Sequence, residues 1–157
     1  MEMLDHPGWL WGLSLIALTM AIHATAVVML AFVTLRMRVR LETRGLKVWN
    51  LIAMVICVVG VIGLLLAVLH GIECVIWAAA YLWVGALDSP MDALFFSFDS
   101  MSTRGASGLT LQRPWQTMGA LEAVDGMLLF GVSTAFLFSV MQTYWSTLTT
   151  HASPSKG

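Results

Sequence analysis

The sequence predicts an all-α integral membrane protein with three spanning helices and a fourth helix of half that length. Composition is the first observation behind this. Of 157 residues, 59% are apolar and 11% charged, with a mean hydropathy of +0.83; soluble domains average about 45–50% and about 25%. Eight basic and nine acidic residues cannot coat a water-soluble globule of this size, which excludes a disordered chain and an ordinary cytosolic enzyme. The net charge of -1 gives no electrostatic reason to expect nucleic acid. The second observation is three long runs free of Asp, Glu, Lys and Arg, at 7–35, 48–72 and 126–150. Each exceeds the roughly 20 residues that cross about 30 Å of hydrocarbon. The third is the segment 88–119, too polar and too broken by turn residues to cross.

The first run is interrupted by His23 alone and follows the acidic MEMLDH, so it is not a cleaved signal peptide. After it, RMRVRLETRGLK (36–47) carries Arg36, Arg38, Arg40, Arg44 and Lys47 against Glu42. Basic short loops stay in the cytoplasm, which puts the N-terminus outside the cell membrane, this loop inside and the short tail 151–157, with Lys156, in the cytoplasm. The arginines are spaced by two, not three, so they do not form a voltage-sensing helix. Trp and Tyr favour the membrane interface. On that basis Trp9 and Trp11 mark the outer face, Trp49 the inner, Trp115 the outer, and Tyr144 with Trp145 the inner. Trp77, Tyr81 and Trp83 reach the outer face if the second run continues through CVIWAAAYLWVGAL (74–87). Trp49 to Trp83 spans 34 residues, about 51 Å of helix. The outer helix, 48–87, is therefore expected to tilt or break near Gly60, Gly63 or Gly71, and one helix bent at His70-Gly71 is the reading adopted. Cys57 and Cys74 lie in apolar runs without metal-ligand spacing and read as packing residues.

In the segment 88–119, Asp88 or Ser89 with Pro90 forms a helix start. The helix expected at 91–102 shows Leu94, Phe95 and Phe98 at helical spacing and covers about 18 Å. The Ser/Thr/Gly stretch from Ser102 to Gly108 favours neither helix nor strand, and Pro114-Trp115 leads into a last helix over 117–147. Non-helical backbone at membrane depth is tolerated only against protein or water. The pattern leaves two forms open: a re-entrant loop, or a hairpin lying on the outer surface.

Residues 92–140 resemble the pore module of the bacterial two-transmembrane potassium-channel-like family. There, a helix with an aromatic-Ser motif precedes Thr-Thr-x-Gly-Tyr-Gly-Asp and an inner helix. Ala93 to Ser97 match the pore helix, and Ser102-Thr103-Arg104-Gly105 match the start of the filter. Glu122-Ala123, Gly126, Leu128 to Gly131 and Ser133 to Phe136 match the inner helix. Upstream, His70, Glu73, Trp77 and Tyr81 resemble the family's outer helix. The likeness covers 70–141, about half of the chain. It implies a three-helix membrane protein whose pore helix and filter loop (103–108) dip in and return. It also implies four identical chains around one axis in the bilayer, with monovalent ions as the only ligands and no resident cofactor or metal.

Such filters replace an ion's hydration with rings of carbonyls, which requires alternating right- and left-handed backbone. Glycine serves the left-handed positions. Here Thr103-Arg104-Gly105-Ala106-Ser107 stands where Thr-x-Gly-Tyr-Gly is expected. Ser107 in the second glycine's place disfavours left-handed backbone by roughly 1 kcal/mol or more, unless Gly108 takes that role by a one-residue slip. Ala106 has lost the bracing tyrosine, and Gly108 stands for the acid. A looser, weakly selective filter for monovalent cations is the expectation, with a non-conducting structural or sensing subunit as the alternative. Arg104 has two readings: a strut paired with Asp99 behind the loop, or an axial ring that repels cations. Ser100, Ser102, Thr103, Ser107 and Thr110 can offer hydroxyl oxygens, and Ser102, Asp99, Arg104 and Glu122 are candidate filter supports.

Ionisable groups at membrane depth are functional candidates by default. His70 and Glu73 share a helix face and can hydrogen-bond, as a boundary contact or a proton sensor; two ligands alone are too few for a metal. His23 is expected to pair with a hydroxyl or carbonyl. Glu122 and Asp125 read as dipole-compensating acids opening the last helix, or as supports of the loop. An intramembrane enzyme built on His70 and Glu73 lacks a nucleophile. The chain thus divides into 1–47 (first span and basic loop), 48–150 (the pore-like module) and 151–157.

Overall fold

In the computed structural model of the chain, residues 7–42 and 48–152 are described. Residues 1–6, 43–47 and 153–157, which hold Arg44, Lys47, Lys156 and both termini of the orientation reading, lie outside the described residues. Four helices follow in order: α1 (Pro7–Glu42), α2 (Val48–Trp83), α3 (Pro90–Met101) and α4 (Gln116–Ala152), the last entered through a 3-10 turn at Arg113–Trp115. Among the described residues there is no strand. Pro7–Val39, Trp49–Trp83 and Arg113–Trp145 are each long and apolar enough to cross a membrane, as a multi-pass membrane protein requires.

The long helices hold 36, 36 and 37 residues. At 1.5 Å per residue that is about 54–56 Å, beyond the about 40–45 Å of a whole bilayer, so each must tilt or project. The ends of the first two helices differ from the sequence reading. Helix α1 continues through Arg36 and Arg38 to Glu42, because Arg, Met, Leu and Glu are all good helix formers; the basic segment begins as helix rather than loop. Helix α2 is uninterrupted at Gly60, Gly63 and Gly71 and stops at Trp83, four residues short of 87. The stop is a Schellman cap. Gly85 adopts φ +67°, its N–H donates to Leu82 O at 3.1 Å, and Ala86 N–H donates to Tyr81 O at 2.9 Å.

Helix α3 begins as its sequence dictates, one residue before the expected start. Ser89 Oγ accepts the Asp92 N–H at 3.3 Å, Pro90 occupies the first turn, and Asp92 suits the positive end of the dipole.

The chain packs as two units. The first comprises Met1–Ala24 and Val68–Gly131. Its core holds Leu15, Cys74, Trp77, Ala78, Tyr81, Met101, Met118 and Leu129. Contacts between the elements set their directions. A Cβ on Gly8 would meet Thr117 Oγ1 at 2.5 Å, one on Gly12 would meet Leu121 Cδ1 at 2.5 Å, and Thr19 bonds Asp125. Helices α1 and α4 therefore run parallel here. Thr19 and Trp77 share Asp125 while His23 pairs with Glu73, so α2 runs antiparallel to α1. Helix α3 lies against both α2 and α4: Gly119 faces Phe96, Ser97 reaches Glu122, and Gly126 abuts the Met101 carbonyl. It runs in the direction of α4.

The second unit comprises Thr25–Ala67 and Val132–Gly157. Its buried side chains include Leu51, Val58, Ile62 and Leu66 at spacings of seven and four, with Phe136, Val140 and Tyr144. Tyr144, read as an interfacial anchor, is buried, and its hydroxyl donates to Thr34 O at 3.4 Å.

Candidate functional site in the first unit

Buried polar groups concentrate in the first unit along one stripe of each long helix. On α1 the buried positions in this unit are Gly8, Gly12, Leu15, Thr19 and His23, a three- and four-residue spacing that lays them on one face. On α2 they are His70, Glu73, Cys74, Trp77 and Tyr81; on α4, Met118, Glu122, Asp125 and Leu129. The stripes face one another, so the polar groups meet in three successive layers.

In the layer nearest the Trp83 end of α2, Tyr81 Oη donates to Glu122 Oε2 at 2.6 Å. Ser97 Oγ bonds Glu122 Oε1 and also lies 2.9 Å from Cys74 O, which ties α3 to both neighbours. One turn along, Asp125 Oδ2 accepts from Thr19 Oγ1 at 2.6 Å and from Trp77 Nε1 at 3.0 Å. A further turn along, His23 Nδ1 and Glu73 Oε1 are hydrogen-bonded at 2.9 Å. The His70 ring stands 5.1 Å from His23 in an edge arrangement and 4.5 Å from Phe130. Glu73, Glu122 and Asp125 are each 0% exposed. Among the described residues of this unit the only Lys or Arg residues are Arg104 and Arg113, neither in this stack.

Several expectations change here. Glu122 and Asp125 do not open α4: it starts at Gln116, no acid lies in its first turn, and both carboxyls point inward to donors. The last helix begins at Gln116, one residue before the expected 117, because the 3-10 turn at Arg113–Trp115 leads directly into it. His23 pairs with the Glu73 carboxylate. Trp77 and Tyr81 point into the protein, unlike Trp83, which is 84% exposed. Gly126 provides a close approach, whereas a Cβ on Gly131 would meet nothing within 4 Å.

Beyond α3, Ser102–Ala106 is exposed, non-helical backbone. Asp99, buried at the last turn of α3, holds it from below. Its Oδ1 accepts Arg104 Nε at 2.7 Å and Ala106 N–H at 3.1 Å, and its Oδ2 accepts Ser107 N–H at 2.8 Å. The Arg104 guanidinium beside it, aided by the Ser107 and Ala106 amides and opposed by partial burial, holds the Asp99 carboxyl down at about 2. The Arg104 side chain itself is 56% exposed, with its guanidinium 5.6 Å from the Phe95 ring centroid.

Left-handed backbone occurs at Thr103 (φ 57°), Gly105 (φ 62°) and Gly108 (φ 70°), not at Arg104, Ala106 or Ser107. Alternation of hand therefore holds from Thr103 to Gly105 and then skips Ser107, with Gly108 in the left-handed conformation. Thr103 adopts this hand despite its branched Cβ, a costly conformation that the surrounding bonds must enforce. Ser102 Oγ donates to Asp99 O at 3.2 Å, and Ser100 Oγ to Gly119 O at 2.9 Å, so these two hydroxyls are spent on the scaffold. Comparison of the chain with protein-family models, with curated proteins and with solved structures finds no match.

Proposed function

We propose that the chain is one subunit of a homotetrameric pore-loop channel that conducts monovalent cations with weak selectivity. The single observation that carries this reading is the loop 102–107 gathered onto Asp99 at the tip of a half-length helix. Two further features support it. The tip of α3 lies level with Cys74 and Gly126, through the Cys74–Met101 sulfur contact at 3.4 Å and the Gly126 packing. Those positions are nine and ten residues inside the ends of α2 and α4, about 14–15 Å along the helices, or half of an about 30 Å hydrocarbon layer. A re-entrant helix reaches that depth where these ends of α2 and α4 lie at the membrane surface. The loop side away from Asp99 is exposed in a single chain, as a segment that completes a shared axis must be.

One chain supplies one loop, and rings of carbonyls need several copies, for which closed rotational symmetry is the ordinary solution. Phe95, Phe98, Met127 and Leu128 remain exposed in the first unit and offer apolar surface to neighbouring copies or lipid. The Thr103–Gly105 stretch would supply the cation-facing carbonyls, and the broken alternation beyond it accounts for weak selectivity. The pairing of Arg104 with Asp99 favours the strut over an axial arginine ring. The orientation follows the basic segment: N-terminus outside and C-terminus in the cytoplasm of the inner membrane. Native mass spectrometry of the detergent-released protein tests the assembly, with a tetramer expected; a monomer or dimer overturns it.

A second reading rests on Ala106 and Ser107, whose N–H groups are both committed to Asp99. A loop so tied can lack the outer ion sites altogether, leaving a non-conducting channel-like subunit.

A further inference from the structure

We propose that His23, His70 and Glu73 form a binding site for a divalent transition-metal ion of the zinc class. One ligand atom from each of the three residues lies within 4.8 Å of the other two. The set comes from two helices, His23 on α1 and the His70/Glu73 pair at i and i+3 on α2. Helical periodicity puts the latter two on one face, and the antiparallel packing of α1 brings His23 onto it. Two imidazoles and one carboxylate are the donor set that borderline divalent metals accept with an open fourth position.

Geometry and charge both point to a cation here. The 2.9 Å between His23 Nδ1 and Glu73 Oε1 is close to the roughly 3.3 Å that two ligands at about 2.0–2.1 Å subtend on a tetrahedral ion. The ligand atom of His70 lies within 4.8 Å of both and would have to draw closer to complete the set. The second oxygen of Glu73, Oε2, is buried without a hydrogen-bond partner, and so is Asp125 Oδ1 one turn away. A fully buried carboxylate with an unused oxygen is costly at membrane depth, and no Lys or Arg lies in the surrounding stack. A divalent ion on neutral imidazoles and ionised Glu73 would use that oxygen's charge and leave one positive charge facing Asp125. It would also fasten α1 to α2. Residue Cys74, next to Glu73, contacts α3 through Ser97 and Met101, so the bound ion would sit one residue from the helix that carries the loop.

This inference is independent of the pore reading, because its test reads metal on the protein rather than ion flux. The full chain, purified without a histidine tag, is titrated with Co2+ as the optical probe and then with Zn2+. One Co2+ per chain with the ligand-field absorption of a low-coordinate site, displaced by one equivalent of Zn2+, is the expected result. His23→Gln, His70→Gln and Glu73→Gln should each weaken binding by about 100-fold or more, at or above the loss typical of outer-shell partners. A background with His6→Asn and His151→Asn should bind as the parent does. No saturable binding, binding that survives Glu73→Gln and His23→Gln, or binding lost in the His6/His151 background overturns the proposal. Should the ligand variants fail to fold, X-ray absorption of the zinc-loaded parent decides. Two imidazole nitrogens support the site, and an all-oxygen shell refutes it.

Discussion

The Asp99 carboxylate receives Arg104 Nε at 2.7 Å from five residues further along, and the same carboxylate caps the amides of Ala106 and Ser107. One acid thus holds three groups, at Arg104, Ala106 and Ser107, of an otherwise exposed loop. Arg104 is more than half exposed, and exposed ion pairs stabilise little; the two amides have no such alternative. Asp99→Ala should therefore disorder 102–107 far more than Arg104→Leu does. Hydrogen exchange at Ala106 and Ser107 measures this: fast in Asp99→Ala, nearly parental in Arg104→Leu. Equal exchange in the two variants would contradict the account.

The same pair fixes a pH response. Asp99 is held at about 2, below its ordinary 3.8, so the folded loop favours the ionised form. The stabilisation it confers is complete above about pH 4 and is lost as pH falls through about 2. The Cγ chemical shift of labelled Asp99 should titrate with a midpoint near 2. A midpoint at or above the ordinary value would show that the carboxylate is unpaired in solution.

Trp77 and Tyr81 anchor α2 to α4 through hydrogen bonds to buried acids. Tyr81→Phe removes only a hydroxyl and leaves Glu122 one donor short; Trp77→Phe does the same to Asp125. Removing one partner of a buried hydrogen bond costs about 1–3 kcal/mol, so each variant should lower thermal stability in detergent by that order. A double-mutant cycle of Tyr81→Phe with Glu122→Gln should show coupling, since the two share one bond. Additive effects would mean that the bond is not formed.

Gly126 lies where any side chain would strike the Met101 carbonyl. Because the obstacle is backbone, α3 has to move. Gly126→Ala is expected to destabilise by about 1–3 kcal/mol, as overpacked cores do, whereas Gly131→Ala, which has open space around it, should be neutral or slightly stabilising through helix propensity. Comparing the unfolding midpoints of the two variants checks the assignment.

The sequence disclosed most of the architecture because membrane helices are written in long apolar runs, and the start of α3 in Ser89-Pro90. The length of α2 and its stop were less legible. Glycines that look like breaks are tolerated inside an apolar helix, and the stop depends on Gly85 reaching a left-handed conformation. The pairing of Asp99 with Arg104 was foreseeable from a five-residue spacing across a helix end. The polar stack was not, since it joins positions 25 to 106 residues apart, from Ser97 with Glu122 to Thr19 with Asp125. One signal did exist. The spacing Gly12, Leu15, Thr19, His23 marks a small and polar face on α1, which becomes meaningful only once α1 is set against α2 and α4.

The central claim is that the loop 102–107 lines a path for cations, and reconstituted flux tests it most directly. Purified protein in liposomes should pass potassium and sodium at comparable rates and exclude chloride, and Arg104→Leu should leave the cation rates close to the parent's. Flux of no ion across a range of pH and voltage, or a preference for chloride, would contradict it.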